Sequence, residues 1–189
     1  MPRPRRISDE AVLEGTLKVM SRKGPAEFTL AAVAAEVGIA PATLVQRFGD
    51  KRGLIQRALS HDNSGFARLA DEVPAAPGRA NAVALFLSMT PEAVDADELA
   101  TGLLWLREDF RDPMLNRLAR ERFRLLRAAL AERMPPLPVP AELAALLLEA
   151  QWQGAVNQWG FFREGTLANY LQRSLEAWFD LAEAGMGDR

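Results

Sequence analysis

The chain has 189 residues, of which 49% are hydrophobic and 25% charged, so it can bury a sizeable core in one or two domains. It has no cysteine and one histidine, which excludes disulfides, iron–sulfur clusters, thiolate chemistry and multi-histidine metal sites. The net charge of −2 divides into +4 over residues 1–60 and −6 over residues 61–189. A basic N-terminal segment followed by an acidic remainder indicates that one part of the chain binds a polyanion. A chance fluctuation in the charge distribution is the alternative.

The N-terminus does not read as a signal peptide, because its arginines lead into acidic residues instead of an apolar run. No apolar segment approaches the roughly 20 residues that a membrane span needs. We therefore expect a soluble, cytoplasmic protein that has no membrane partner.

Helical signals recur along the whole chain, and we find no convincing strand pattern of period two. Ser8 is suited to cap the first helix, which Gly24 and Pro25 stop. We predict an all-α fold of about nine helices, lying near residues 8–23, 29–36, 41–47, 51–71, 79–90, 95–110, 112–134, 140–164 and 166–184.

A helix breaks and restarts in the stretch TLAAVAAEVGIAPATLVQRFGDKRGLI, residues 29–55. Thr29 is placed to cap the first short helix, and Gly38 allows the left-handed backbone of a sharp turn. Pro41 then starts the second short helix, where its missing N–H has no cost. Two short helices joined by such a turn are typical of a helix-turn-helix motif, which we place at about residues 29–48.

The second short helix, here called the recognition helix, turns Leu44 and Phe48 toward a core. Its outward face consists of Ala42, Thr43, Val45, Gln46 and Arg47, with Lys51 just beyond it. A projecting helix of this kind can enter the major groove of DNA while its neighbour braces it across the backbone. An αα-corner without a DNA role is the alternative. The basic turn and an N-terminal arm containing Arg3, Arg5 and Arg6 favour DNA.

The segment from about Arg6 to Gly65 resembles the DNA-binding domain of the TetR (tetracycline repressor) family of transcriptional regulators. The resemblance runs without a gap and is carried by Thr29, Val33, Ala34, Gly38, Ile39, Thr43, Leu44, Phe48, Lys51 and Leu54. It implies DNA contacts by Thr29, Thr43 and Lys51. It also implies a variable helical second domain whose last two long helices pair into a four-helix dimer bundle.

The recognition helix departs from the family pattern at three positions. Ala40 replaces a usual serine, so the helix lacks a side-chain cap and relies on Pro41. Val45 replaces a usual tyrosine, so a backbone contact is lost or exchanged for contact with a thymine methyl group. Arg47 stands where a histidine is frequent, and we expect it to supply the missing phosphate contact.

Two features could add sequence preference or affinity for DNA. Gln46 is the best candidate for base readout, because its amide can pair with adenine N6 and N7; a solvated glutamine is the alternative. Arg3, Arg5 and Arg6 could enter the minor groove or bind phosphates. A disordered tail that only raises nonspecific affinity is the alternative.

We predict three regions. Residues 1–50 form the arm and the helix-turn-helix domain, residues 51–72 form a connecting helix, and residues 73–189 form a helical ligand-binding and dimerisation domain. All four tryptophans and seven of nine phenylalanines lie outside the DNA-binding segment, close to amide side chains. This mixture suits a pocket for a mostly apolar small molecule, with core packing as the alternative. The predicted ligand contacts are Trp105, Phe110, Trp152 and Trp159.

The last two predicted helices are expected to form a homodimer interface. Gly154 would let a partner helix approach closely, and Leu167, Leu171, Leu175 and Trp178 recur at spacings of four, four and three. A hairpin packed on its own domain is the alternative.

The function that these features favour is a homodimeric, ligand-responsive transcriptional regulator, more specifically a repressor that binds a palindromic operator in double-stranded DNA. No cofactor or metal is expected. The acidic clusters lack a catalytic spacing, and His61 is expected to be an exposed residue of the connecting helix, so the protein is not expected to be an enzyme. A helical protein-interaction adaptor with a non-functional helix-turn-helix is the alternative.

Overall fold

The computed structural model describes residues 7–91 and 93–184, and the regular structure of these residues is entirely helical. The described helices are α1 Asp9–Arg22, α2 Leu30–Val37, α3 Pro41–Phe48, α4 Lys51–Asp71, α5 Arg79–Ser88, α6 Ala96–Arg111, α7 Pro113–Ala131, α8 Ala141–Phe162 and α9 Leu167–Ala184. The predicted all-α fold is confirmed. Among the described residues, no helix has both the length and the hydropathy needed to cross a bilayer.

Side chains satisfy backbone N–H groups at the start of several helices, where the helix itself offers no acceptor. The Ser8 hydroxyl accepts from the Ala11 N–H at 3.1 Å, and the Thr166 hydroxyl accepts from the Asn169 N–H at 3.2 Å. At the start of α7, the Asp112 carboxylate accepts from the N–H groups of Met114 and Leu115. The helix starts therefore follow from local sequence.

The end of α7 differs from its predicted position. The helix stops at Ala131 rather than near residue 134. Beyond it, Arg133 is almost fully buried and donates to the carbonyl oxygens of Ala70 at 2.7 Å and Val73 at 2.6 Å. These bonds tie the segment after α7 to the end of α4 and the residues that follow it, while the buried Arg133 Nε has no hydrogen-bond partner among the described residues.

The described residues form two compact units. The N-terminal unit comprises residues 7–65 and 97–121, and the C-terminal unit comprises the remaining described residues. The three predicted regions, residues 1–50, 51–72 and 73–189, do not coincide with these two units. Residues 97–121 join the N-terminal unit because they supply core contacts to it, among them buried Leu115.

The core of the N-terminal unit holds α1, α2, α3 and the start of α4 together. Its fully or nearly fully buried side chains include Val12, Phe28, Val33, Leu44, Phe48, Leu54, Ile55 and Leu115. Truncating one such side chain to alanine typically costs about 2–5 kcal/mol of unfolding free energy. The recognition helix α3 is thus fixed by its inner face.

The core of the C-terminal unit is aliphatic and aromatic, with one charged pair at its edge. Its buried side chains include Leu85, Phe86, Leu130, Leu148, Leu175 and Phe179. The Glu149 carboxylate is only 2% exposed and accepts from the Arg127 Nε at 2.6 Å and from the Gln153 amide at 2.9 Å. This hydrogen bond to Glu149 raises the pKa of Arg127, against a smaller opposing effect of burial.

Candidate nucleic-acid interface

The helix-turn-helix is built from local backbone preferences. The Thr29 hydroxyl accepts from the Ala32 N–H at 3.1 Å and so caps α2. Gly38 ends α2 with φ of 73°, a left-handed conformation that a side chain would strain. Ala40 makes no side-chain cap for α3, and Pro41 occupies the first helical position. The predicted motif is confirmed in each of these features.

The recognition helix α3 has two distinct faces. Leu44 and Phe48 are buried in the N-terminal unit, while Thr43 is half-buried at the boundary. Val45 is 49% exposed although its side chain is apolar. Pro41, Ala42, Val45 and Gln46 are the exposed residues of the outward face. This face is small and weakly charged, and the Gln46 amide is its best hydrogen-bonding group for a base edge.

Lys51 lies at the first position of α4 and is half-buried. Its Nζ donates to the Pro25 carbonyl oxygen at 3.0 Å and lies 5.4 Å from the centre of the Phe28 ring. An ammonium group carries three N–H donors, so two are left after the bond to Pro25. Lys51 is therefore a positioned cation at a helix N-terminus, where an anion is also favoured by the helix dipole.

Arg47 does not occupy the position that the sequence suggested. Its Nε donates to Asp9 Oδ1 at 2.7 Å, one terminal nitrogen bonds the same oxygen, and the other donates to the Ile7 carbonyl at 3.1 Å. Its guanidinium carbon also lies 5.5 Å from the centre of the Phe48 ring. Three of its five N–H donors are thus engaged near the start of α1, and the phosphate contact of Arg47 stays a prediction.

Arg57 is a cation that the sequence reasoning did not single out. It is exposed on α4, and its guanidinium carbon lies 5.8 Å from the centre of the Phe48 ring. Phe48 is the last residue of the recognition helix, so Arg57 stands beside that end of the motif. The sequence could not indicate this, because Arg57 follows the motif by nine residues. Arg3, Arg5 and Arg6 lie outside the described residues.

The four predicted ligand contacts fall into different units. Trp105 and Phe110 belong to the N-terminal unit, where the Trp105 ring packs edge-on against Phe28 with a centroid distance of 5.8 Å. The Trp105 indole N–H donates to the carbonyl oxygens of Met20 and Lys23. Phe110 is 75% exposed. The polar edge of Trp105 is thus already used inside its own unit.

Trp152 and Trp159 belong to the C-terminal unit. Trp152 stacks on Phe86 with a centroid distance of 5.2 Å, and its buried indole N–H has no hydrogen-bond partner among the described residues. Trp159 is buried and donates to the Gly165 carbonyl at 3.1 Å, in the turn between α8 and α9. Trp152 also lies one helical turn from buried Glu149 on α8. Of the predicted set, Trp152 retains an unused polar group.

The predicted interface stripe on α9 is corrected by its burial. Leu171 and Leu175 are fully buried and Leu167 is 8% exposed, so these side chains are covered by their own chain. Trp178 is half-buried and meets the Phe179 ring edge-on. Gly154, in contrast, is exposed, and a Cβ added to it would meet no atom within 4 Å. The stripe has a regular period because it follows the core.

Exposed apolar side chains mark another face of α8. Leu143, Leu147 and Phe161 are 42%, 47% and 85% exposed. With exposed Ala150 and Gly154 they follow the spacing of four, three, four and seven residues that keeps one face of a helix. Leu181, near the end of α9, is 78% exposed.

One group of possible metal ligands occurs among the described residues. Ligand atoms of Glu10, Glu14 and His61 lie within 4.8 Å of one another. Both carboxylates are exposed, and carboxylates one helical turn apart are close neighbours on any helix surface. We assign no metal to this group. His61 itself is half-buried rather than exposed as predicted.

The arrangement defines the class of protein: an all-α chain with an N-terminal helix-turn-helix whose recognition helix projects an exposed face. Residues 12–58 match the model of the family described as bacterial regulatory proteins, tetR family. The resemblance of this segment to the tetR family is thereby confirmed.

Solved structures share the fold over most of the chain. A transcriptional regulator from Rhodococcus sp. Rha1 is 19% identical with a TM-score of 0.77, covering 95% of this chain and 97% of its own. A candidate transcriptional regulator from Pseudomonas aeruginosa PAO1 is 22% identical with a TM-score of 0.72, covering 95% and 94%. A candidate transcriptional regulator from Saccharomonospora viridis in complex with choline is 19% identical with a TM-score of 0.71, covering 91% and 95%. No curated protein sequence matches the chain significantly.

Proposed function

We propose that this tetR-family regulator is a ligand-responsive repressor that binds a palindromic operator as a homodimer. The observation that carries the proposal is the exposed outer face of α3, held by a buried inner face and by α2. A short helix fixed in this way can enter the major groove with its first turns against base edges.

The proposed DNA contacts are of two kinds: phosphate contacts, which position the protein on the duplex, and base contacts, which read the sequence. Lys51 and Arg57 are cations beside the motif, and they supply phosphate contacts that fix the register of the protein on the duplex. The hydroxyls of Thr29 and Thr43 add neutral hydrogen bonds to the backbone. Gln46 reads a base edge, and exposed Val45 gives apolar contact with a thymine methyl group.

A second copy of the chain is the proposed occupant of the apolar face of α8. Folded monomers rarely expose contiguous large apolar patches, and Leu143, Leu147 and Phe161 lie on one helix face with little to cover them. Gly154 on the same face leaves room for a close helix approach. A two-fold pairing places two recognition helices about one DNA turn, or a small multiple, apart, which requires a palindromic site.

The C-terminal unit is the proposed site of the ligand. Trp152 and Phe86 form a stacked aromatic pair, and the buried Glu149 carboxylate lies one turn from Trp152. Such a mixture suits a mostly apolar small molecule with a few polar groups. The choline complex of the Saccharomonospora relative supports a small-molecule role for this fold.

A DNA-selection experiment with the purified full chain tests the function. We expect enrichment of a two-fold symmetric sequence and affinity that falls steeply with added salt, because phosphate contacts release counterions. Light scattering on the same sample should give the mass of a dimer. Absence of salt-dependent DNA binding would favour the interaction adaptor instead, and a monomer at micromolar concentration would refute the dimer.

A further inference from the structure

We propose that the ligand of the C-terminal unit is an apolar molecule that carries a carboxylate, and that Arg127 and Trp152 are the donors that recognise its oxygens. This inference rests on the proposed function, because it specifies the chemical class of the ligand to which the regulator responds. It follows from the hydrogen-bonding groups of this unit that are already engaged and from those that are not.

The buried negative charge of the C-terminal unit is already compensated. The Glu149 carboxylate is 2% exposed and accepts from the Arg127 Nε at 2.6 Å and Nη2 at 3.1 Å. The Gln153 amide donates to the same carboxylate at 2.9 Å. Within the described part of the chain, no other carboxylate is buried. A cationic ligand would therefore have to compete with Arg127 for its counter-charge.

Arg127 has an unused edge. A guanidinium carries five N–H donors, and the two bonds to Glu149 use one on Nε and one on Nη2. The remaining three, two on Nη1 and one on Nη2, have no acceptor among the described residues. The Nη1–Nη2 edge matches the two oxygens of a carboxylate. Since the Arg127 side chain is 45% exposed, a molecule from solvent can reach this edge.

Trp152 supplies the second unused donor. Its buried indole N–H has no hydrogen-bond partner among the described residues, and an unsatisfied buried donor is unfavourable. An indole N–H can only donate, so an oxygen acceptor satisfies it and an ammonium group does not. The Trp152 ring also stacks on Phe86 with a centroid distance of 5.2 Å, which provides apolar surface. Both unused groups thus favour a ligand with acceptor oxygens over a cation.

Three compounds with the same apolar body test the ligand class: 3-phenylpropanoate, 3-phenylpropan-1-ol and 3-phenylpropylammonium. Each is titrated into the purified full chain while the Trp152 Nε1–H resonance is followed by NMR. This resonance is assigned by its absence in Trp152→Phe. We expect 3-phenylpropanoate to bind at least about tenfold more tightly than the ammonium compound, as for a hydrogen bond between charged groups. It should also move the Trp152 resonance downfield. Choline, as a second cation, should bind no better than the ammonium compound.

Conservative variants separate the contributions of the two donors. Arg127→Lys keeps a positive charge beside Glu149 but lacks the second edge, so it should weaken 3-phenylpropanoate about tenfold and leave 3-phenylpropan-1-ol nearly unchanged. Trp152→Phe should weaken both compounds by about 2–13-fold, the equivalent of one neutral hydrogen bond. Arg173→Lys, at an exposed position on α9, is the control and should change neither affinity.

Glu149→Gln distinguishes a donor site from a cation site. The change leaves the charge of Arg127 uncompensated while the side-chain volume is kept, so 3-phenylpropanoate should bind at least as tightly as it does to the wild type. Arg127→Ala is avoided, because it would leave the Glu149 carboxylate buried without a cation and would destabilise the fold. Helical circular dichroism verifies that each variant is folded.

The outcomes separate this inference from the proposed function. Tighter binding of 3-phenylpropylammonium than of 3-phenylpropanoate, or weaker binding of 3-phenylpropanoate to Glu149→Gln, would overturn the carboxylate class while a ligand site remains. If none of the compounds moves the Trp152 resonance, the inference is also overturned. If the wild type fails to bind DNA with any salt dependence, the proposed regulatory function fails, while the order of the three affinities still decides the ligand class.

Discussion

The indole N–H of Trp105 donates to the Lys23 carbonyl oxygen at 2.9 Å and to that of Met20 at 3.0 Å. Both carbonyls belong to the end of α1, where the last turn of a helix leaves carbonyl groups without intrahelical donors. One side chain of α6 therefore completes the end of α1 and also covers Phe28, a core residue of the same unit. Trp105 secures α6 within the N-terminal unit.

Replacing Trp105 with phenylalanine tests this role. The change keeps an aromatic ring against Phe28 and removes the N–H, so carbonyl groups of Met20 and Lys23 lose their donor. We expect a loss of about 1–3 kcal/mol in unfolding free energy, measured by urea denaturation. Trp178→Phe, at another half-buried tryptophan, serves as the control. Equal losses in the two variants would contradict the hydrogen-bond account.

The sequence predicted the features that depend on near neighbours. The caps Ser8 and Thr29 and the left-handed turn at Gly38 involve partners within four residues, so their chemistry is readable directly. The bonds of Arg47 and Trp105 join residues 38 and 85 positions apart. The local sequence does not show whether an arginine side chain is paired with a carboxylate that is distant in sequence or is available to bind a phosphate.

The helical periodicity of the sequence predicted the wrong environment for the leucines of α9, and it did not indicate the exposed apolar face of α8. The spacing of Leu167, Leu171 and Leu175 correctly places them on one face of a helix, but it does not identify what covers that face. Burial shows that their own chain covers it. The apolar pattern that includes Leu143 and Phe161 on α8 is a weaker signal, because alanines and glutamines interrupt it.

The ion pair between Arg52 and Asp112 predicts a specific acid sensitivity. The hydrogen bond from Arg52 lowers the pKa of Asp112 below its ordinary value of 3.8, assisted by the N–H groups of Leu115 and Met114 and opposed by burial. The same pair raises the pKa of Arg52. A lowered folded-state pKa stabilises the fold above 3.8, and this contribution is lost as the pH falls through the folded value.

Asp112→Asn should therefore flatten the decline in stability below pH 3.8. Asparagine is as good a helix cap as aspartate, so the bonds to Met114 and Leu115 can persist while the charge is removed. The measurement is the urea midpoint as a function of pH, with Asp97→Asn as the control in the first turn of α6. A decline as steep as that of the wild type would exclude this pair as its source.

Base readout and phosphate contact predict different consequences at two residues. Gln46→Ala should cost about 1–3 kcal/mol at one operator position and relax the sequence selected there. Lys51→Ala should weaken all sequences alike and reduce the salt slope by about one. The two variants are compared in the same DNA selection. If the Gln46→Ala protein selects the same DNA sequence as the wild type, Gln46 does not read a base.

Gly154 offers a clean test of the proposed dimer. A Cβ added there meets no atom within 4 Å beyond its own stretch of helix, and Gly154 is exposed, so Gly154→Trp should leave the monomer folded while it pushes a partner helix away. We expect monomers in light scattering, unchanged helical circular dichroism and weakened binding to palindromic DNA. Gly102→Trp, at a similarly open position on α6, is the control and should remain dimeric. A dimeric Gly154→Trp protein would place the interface elsewhere.

The C-terminal unit is expected to bind a mostly apolar small molecule beside Trp152, whose buried indole N–H has no partner among the described residues. If the ligand regulates DNA binding, reciprocity requires that DNA change ligand affinity by the same factor, typically about 5–150-fold. Trp105 would add a signal from the N-terminal unit, so the titration should use the Trp105→Phe protein once its stability is known. Choline is a reasonable first probe because a relative of the same fold was solved with it.

The titration follows tryptophan quenching with and without saturating operator DNA. Trp152→Phe should reduce the quenching signal and, because its N–H is then absent, weaken the ligand by the equivalent of about one hydrogen bond, 0.5–1.5 kcal/mol. Trp178→Phe is the matched control in the same unit and should leave affinity unchanged. Equal ligand affinity with and without DNA would show binding that does not regulate. If a broad panel of apolar and cationic compounds gives no quenching, the Phe86–Trp152 pair is core packing and the regulator acts without a ligand in this unit.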